Sequence, residues 1–174
     1  PKGDRELKIK QMLGVGLVAL VNLWCASAMA SPEIRVRPDL GAVTPAQRLA
    51  IGEATKVMRE FMATFNAQDS DGWSKTLLFP HVRISSGGVV VHPSRQEFAA
   101  QMDFQAFARR FNWHRSAWDS LEVVQVSPNK VHIAVQFTRY DVQQQALASF
   151  DSLYILQPGE GGKWGIRARS SFAP

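Results

Sequence analysis

The sequence changes its hydrophobic period once, near residue 112, and that change narrows the folds open to it. Before it, apolar residues recur every three or four positions, interrupted by one short hairpin; after it, apolar and polar residues alternate. Helices first and a run of strands afterwards predict an α+β fold, in which a curved antiparallel or mixed sheet wraps a long N-terminal helix and two further helices.

The helical half is clearly punctuated. Thr44-Pro45-Ala46-Gln47 supplies a capping hydroxyl, a proline whose missing N–H is harmless there, and a glutamine able to close a capping box. Ala50, Ala54, Val57, Phe61 and Phe65, thickened by Met58 and Met62, then form one apolar stripe on a helix from Pro45 to about Asn66. Ser70-Asp71-Gly72 restarts a short helix carrying Trp73, Leu77 and Leu78, which Pro80 ends. Two short strands are predicted at 81–85 and 89–92, about the turn Ser86-Gly87-Gly88. A second capping box, Ser94 to Glu97, opens one helix with Phe98, Met102, Phe107 and Phe111. Strands follow near 113–126, 130–140, 146–156 and 163–172, separated by turns at 127–129, 141–145 and 158–162.

Residues 1–30 read as an export signal. Lys2, Arg5, Lys8 and Lys10 precede the apolar run Met12 to Val21, and Ala28-Met29-Ala30 follows as a cleavage site before Ser31. The run is shorter than the roughly 20 residues a bilayer span needs, so no stable span is expected after cleavage; a retained anchor is the alternative. A periplasmic or secreted location follows. Residues 31–43, with Pro32 and Pro38, form an extended lead-in, and 44–174 form the domain. Without positions 1–30 the chain keeps 16 basic and 13 acidic residues, a charge too mild for a nucleic-acid partner. Cys25, the sole cysteine, leaves with the signal. The domain is then held by its core alone.

Alternation sorts the side chains of the meander. Val131, Ile133, Val135, Phe137 and Arg139 share a face, which places Arg139 at the cavity end of a core stripe. Trp164, Ile166, Ala168, Ser170 and Phe172 share another, which sends Arg167 and Arg169 to the back. The hairpin at 158–162 pairs Tyr154 with Ile166 and turns Phe150, Ser152, Tyr154 and Leu156 inward. Taking Leu121 and Val123 as inward brings Asp119 level with Arg139; the opposite register turns Trp118 and Glu122 inward. Arg83, between Val82 and Ile84, is expected to point away from the core.

The order of elements and several phrases resemble the nuclear transport factor 2-like (cystatin-like) superfamily, and small bacterial members of undefined role most of all. The phrases are Phe79-Pro80-His81-Val82-Arg83-Ile84, Phe137-Thr138-Arg139-Tyr140-Asp141, Phe150-Asp151-Ser152-Leu153-Tyr154 and Lys163-Trp164-Gly165-Ile166-Arg167. The resemblance spans about Thr44 to Phe172 and implies a cone-shaped cavity between helix and sheet. It does not supply a function, since the superfamily holds isomerases, dehydratases, hydrolases, cyclases and silent dimer modules. Isomerase chemistry needs a carboxylate base near the first strand and tyrosine and aspartate donors in the cone. This chain has Ser85 and Ser86 at the first place and Phe61 and Phe65 on the first helix.

Asp119 with Arg139 is the leading polar pair. An inward arginine can hold a carboxylate or enolate and an inward aspartate can act as a base, but the same pair can be a structural salt bridge. Tyr154 donates to a ligand oxygen or to the backbone. His81, expected at the cavity rim, titrates near neutrality or is merely structural. Trp73 and Trp164 line an apolar pocket or fill the core. Behind the sheet, Leu147, Leu153 and Ile155 are apolar and Asp151 is expected across from Arg169; with Arg167 they suit a homodimer, as the resemblance also implies. His81, His92, His114 and His132 show no paired ligand spacing, so no metal is expected, and no phosphate loop or dinucleotide fingerprint suggests a cofactor. The reading is an exported, cofactor-free domain that binds a small apolar or carboxylate-bearing molecule in its cone, with lyase, isomerase or hydrolase chemistry left open. The alternative is a non-catalytic homodimeric interaction module, which a filled cone would favour.

Overall fold

A computed structural model describes residues 31–174; the export signal expected at residues 1–30 lies outside the described residues. The elements run β1 (Arg35–Val36), α1 (Pro45–Asn66), α2 (Ser70–Ser74), β2 (Leu77–Ser85), β3 (Gly88–His92), α3 (Arg95–Gln101), α4 (Phe104–Phe111), β4 (Arg115–Ser127), β5 (Lys130–Tyr140), β6 (Ala146–Pro158) and β7 (Trp164–Ser171). The strands form one open sheet in the order β1-β4-β5-β6-β7-β2-β3, with antiparallel β4 to β7 and parallel pairs β1·β4 and β2·β7. This is the α+β architecture expected. Among the described residues no helix is long and apolar enough to cross a membrane.

Helix α1 begins where its chemistry says it should. The Gln47 N–H donates to Thr44 Oγ1 at 3.3 Å, and the Thr44 N–H donates to Gln47 Oε1 at 2.8 Å. The helix buries Ala50, Ile51, Ala54, Val57, Met58, Phe61 and Met62 against the concave side of the sheet. At its last residue, Asn66 Nδ2 donates to the Ser116 carbonyl at 2.9 Å while its Oδ1 accepts from the Ser116 N–H at 2.8 Å. That bidentate clamp fixes the helix end against β4.

The elements depart from the expected pattern at several points. Helix α2 stops at Ser74 rather than reaching Leu78, because Leu77 joins the ladder opposite Ile166, whose N–H donates to the Thr76 carbonyl at 2.9 Å. Pro80 therefore lies inside β2, in the bulged stretch between Leu77 and Val82, where no ladder hydrogen bond needs its N–H. The single helix expected after Ser94 is broken at Met102, since Asp103 Oδ1 accepts from the Ala106 N–H at 2.8 Å and starts a second helix. The lead-in is also structured: Arg35 and Val36 pair with Glu122 and Val123.

Four bulges curve the central strands. Asp119 and Val124 are the extra residues of β4 against β5, Leu147 is extra in β6, and Arg167 is extra in β7. Each one reverses the inward–outward alternation beyond it. Loss of the Asn66 clamp should be costly, because Ser116 is buried and both of its backbone groups would lose their partner. Asn66→Ala is expected to lower unfolding stability by about 2 kcal/mol, measured by urea denaturation.

Candidate functional site

The cone is closed at one end and open at the other. Val123, Val131, Ile133, Leu156 and Ile166, all fully buried, fill the closed end. Towards the open end lies a cavity of about 310 Å³, walled by Phe61, Phe65, Trp73, Phe107, Trp118, Phe137 and Tyr154. Its volume and apolar walls suit a small organic molecule.

Three arginines enter this cavity. Arg139 ends the β5 stripe, is 7% exposed, and holds its guanidinium carbon 4.9–5.0 Å from the ring centroids of Phe107, Phe111 and Phe150. Arg169 lies 5.5 Å from the Phe61 ring and 5.4 Å from that of Trp73. Arg83 pairs with Arg169 across β2 and β7 and donates to the main-chain oxygens of Ala173 at 3.5 Å and Pro174 at 3.2 Å. The cavity lining contains no Asp, Glu or His side chain. Among the described residues the ion pairs are Arg37–Asp39, Lys56–Glu53 and Lys75–Asp71, so none of the three arginines pairs with an Asp or Glu side chain. Burial, then the charges of Arg83 and Arg169, pull the Arg139 pKa down to about 10. Burial and Arg169 lower that of Arg83 as well. Aromatic faces partly compensate the cations, and Arg110 stands exposed at the mouth.

The bulges decide which of the expected site residues meet here. Arg139, Tyr154 and Trp73 line the cavity. Asp119 does not: as the extra residue of its bulge it faces outward, exposed, and accepts from Thr138 Oγ1 at 2.6 Å. The same bulge lets Trp118 and Leu121 both point inward, so each proposed register of this strand holds for half of it. Trp164 packs half-buried against the core at the closed end, opposite Pro158, and is not in the lining.

Arg169 and Arg83 correct the reading most. The bulge at Arg167 puts Arg169 opposite Tyr154 and leaves Leu156 opposite Ile166, so Arg169 and Ser171 face the cavity while Phe172 is exposed. The expected ion pair of Arg169 with Asp151 on the back face is therefore absent; Asp151 instead accepts from Gln136 at 3.3 Å. Arg167 remains outside and donates to the Pro80 carbonyl at 3.1 Å. Leu147, Leu153 and Ile155 do lie outside the cavity, partly or fully exposed.

His81 is fully buried rather than at the rim. Its Nδ1 lies 3.0 Å from the Ile166 carbonyl and so carries the proton, its Nε2 has no partner, and its ring stacks on His92. Burial, then Arg169, push its pKa to about 3. Tyr154, 3% exposed, has its pKa raised by burial, against the pull of Arg169 and Arg83. It is a donor at neutral pH, not a base. Among the described residues no three His, Cys, Asp or Glu side chains gather as metal ligands would.

A family model described as NTF2-like protein (DUF6841) matches residues 52–171. The chain belongs to that family. Solved structures agree with this at the level of fold. The NTF2-like domain is similar to a protein of Catenulispora acidiphila solved in complex with S-DNPA, at 14% identity and a TM-score of 0.58, covering 72% of this chain and 94% of that one. A Nostoc punctiforme protein of unknown function with a cystatin-like fold matches at 14% identity and a TM-score of 0.58, covering 75% and 92%. Aln2 from a Streptomyces species matches at 20% identity and a TM-score of 0.57, covering 75% and 92%. No curated protein matches the chain.

The buried His81 couples this NTF2-like domain to pH. With an unfolded pKa near 6.5 and a folded value of about 3, only the unfolded chain gains the proton as pH falls, so stability is lost through 6.5 and levels off near 3. Between pH 7 and pH 5 this amounts to about 2 kcal/mol. In His81→Asn, the stability difference between those pH values, read from urea melts, should shrink by that amount.

Proposed function

We propose that this NTF2-like domain binds a small anionic molecule with an aromatic or otherwise apolar body in its cone. The observation that carries the reading is the convergence of Arg83, Arg139 and Arg169 on a cavity whose lining has no acidic side chain. Cations held without acidic side-chain partners, Arg139 buried and Arg83 and Arg169 half-buried, are costly, and a bound anion reduces that cost. The aromatic walls take the apolar body, and guanidiniums suit a planar carboxylate. One fold relative, the Catenulispora acidiphila protein, was solved in complex with S-DNPA. The reading keeps the exported location expected from residues 1–30. It is one of binding: the lining offers no Asp, Glu or His side chain as a base, and Tyr154 and the guanidiniums suit the stabilisation of an enolate or oxyanion.

The test is thermal denaturation with 2-naphthoate and its neutral counterpart 2-naphthamide. The acid is expected to raise Tm and the amide to leave it unchanged. Arg139→Met combined with Arg169→Met should remove the ligand-induced rise while leaving the ligand-free Tm equal or higher, since two charges without acidic partners are gone. A lower ligand-free Tm with the naphthoate shift intact would reject the assignment.

A second reading, homodimerisation through the outer sheet face, rests on Ile84, Val89, Val91 and Phe172, which are 45–74% exposed beside half-buried Leu153 and Ile155. Apolar residues on neighbouring strands of one face suit a second copy of the same face. Val91→Glu is then expected to shift the sedimentation coefficient to that of a monomer. Identical sedimentation of wild type and variant across dilution would dismiss this second reading.

A further inference from the structure

The cavity holds more donors than a single carboxylate can use. Trp73 Nε1, Arg139 Nε and Arg169 Nε are buried without a hydrogen-bond partner, and all three are donors only. Trp73 and Arg139 are 3% and 7% exposed and both line the cavity. One monoanion there would leave either Arg139 or Arg169 without an anionic partner. Arg83 already donates to the main-chain oxygens of Ala173 and Pro174, so Arg139 and Arg169 are the cations left without a hydrogen-bond partner at Nε.

The cations also stand in two places. Arg83 and Arg169 are cross-strand neighbours on β2 and β7. Arg139 is on β5, opposite Ala148 of β6, whereas Arg169 is opposite Tyr154 of the same strand, six positions further on. The rings of Phe61, Trp118, Phe137 and Tyr154 line the space these groups share. Phe61 stacks on Trp118 at 6.3 Å, and Tyr154 meets Trp118 edge-on at 5.7 Å. A flat body against these rings therefore has a cation near each end.

We infer that the ligand is a dianion with its two anionic groups at opposite ends of a flat apolar body, one between Arg83 and Arg169 and the other on Arg139. This rests on the anion-binding reading above and narrows its substrate class. The two groups are carboxylates or other planar oxyanions, which guanidiniums grip in bidentate fashion.

Calorimetric titration of the full chain with four probes on one ring system tests it: 2-naphthamide, 2-naphthoate, 2-naphthyl phosphate and 2,6-naphthalenedicarboxylate. The dicarboxylate is expected to bind at least tenfold tighter than 2-naphthoate. Its affinity should also fall more steeply with added sodium chloride, a comparison that needs no variant. Arg139→Met and Arg169→Met should each reduce the dicarboxylate to the affinity of the monoacid, with folding of both checked by near-ultraviolet circular dichroism. Equal affinity for mono- and dicarboxylate would overturn the dianion while leaving the anion-binding reading standing. Acids that bind no better than the amide would overturn both. A phosphate that matches the dicarboxylate and is indifferent to Arg139→Met would overturn the two-ended arrangement.

Discussion

A sheet that must bend around a single helix cannot keep a regular pleat, and most of what is particular to this protein follows from that constraint. Helix α1 presents a broad stripe from Ala50 to Met62, and β4 to β7 close over it only by curving. Bulges at Asp119, Val124, Leu147 and Arg167 supply the curvature. Because a bulge also reverses which side chains face inward, the device that shapes the cone decides what lines it. The bulge at Asp119 keeps Trp118 in and turns the carboxylate out; the bulge at Arg167 turns Arg169 in.

The result is an electrostatic imbalance held in place by packing. Removal of the one candidate acid and addition of Arg169 and Arg83 leave the cavity with guanidiniums and no acidic side chain in its lining. Aromatic faces at about 5 Å hold Arg139 and Arg169 without neutralising them. Such an arrangement costs the fold stability, and that cost is the physical basis of the anion-binding role proposed above.

His81 belongs to the same field. It sits on the inner side of β2, two residues before Arg83, and Arg169 adds to the burial that keeps it neutral. A histidine after a proline at a strand start reads like a titrating rim residue. Inside a ladder against Ile166 it is a neutral hydrogen-bond donor that completes the packing.

Residues close in sequence settled a great deal. The capping box at Thr44, the stripe of α1, the limits of β5 from Lys130 to Tyr140 and the inward face of Val131 to Arg139 depend on neighbours within a few positions, and local periodicity reads them directly. The α+β order and the family likeness follow from the same regularities. What periodicity could not reveal lies beyond a bulge: the outward turn of Asp119, and the entry of Arg169 from β7 and Arg83 from the irregular β2. A bulge inserts one residue without changing the apolar–polar pattern that precedes it, and its position is set by how far a strand must bend to stay on the helix. Only the packed sheet holds that information, so the charge of the cavity was decided by tertiary structure.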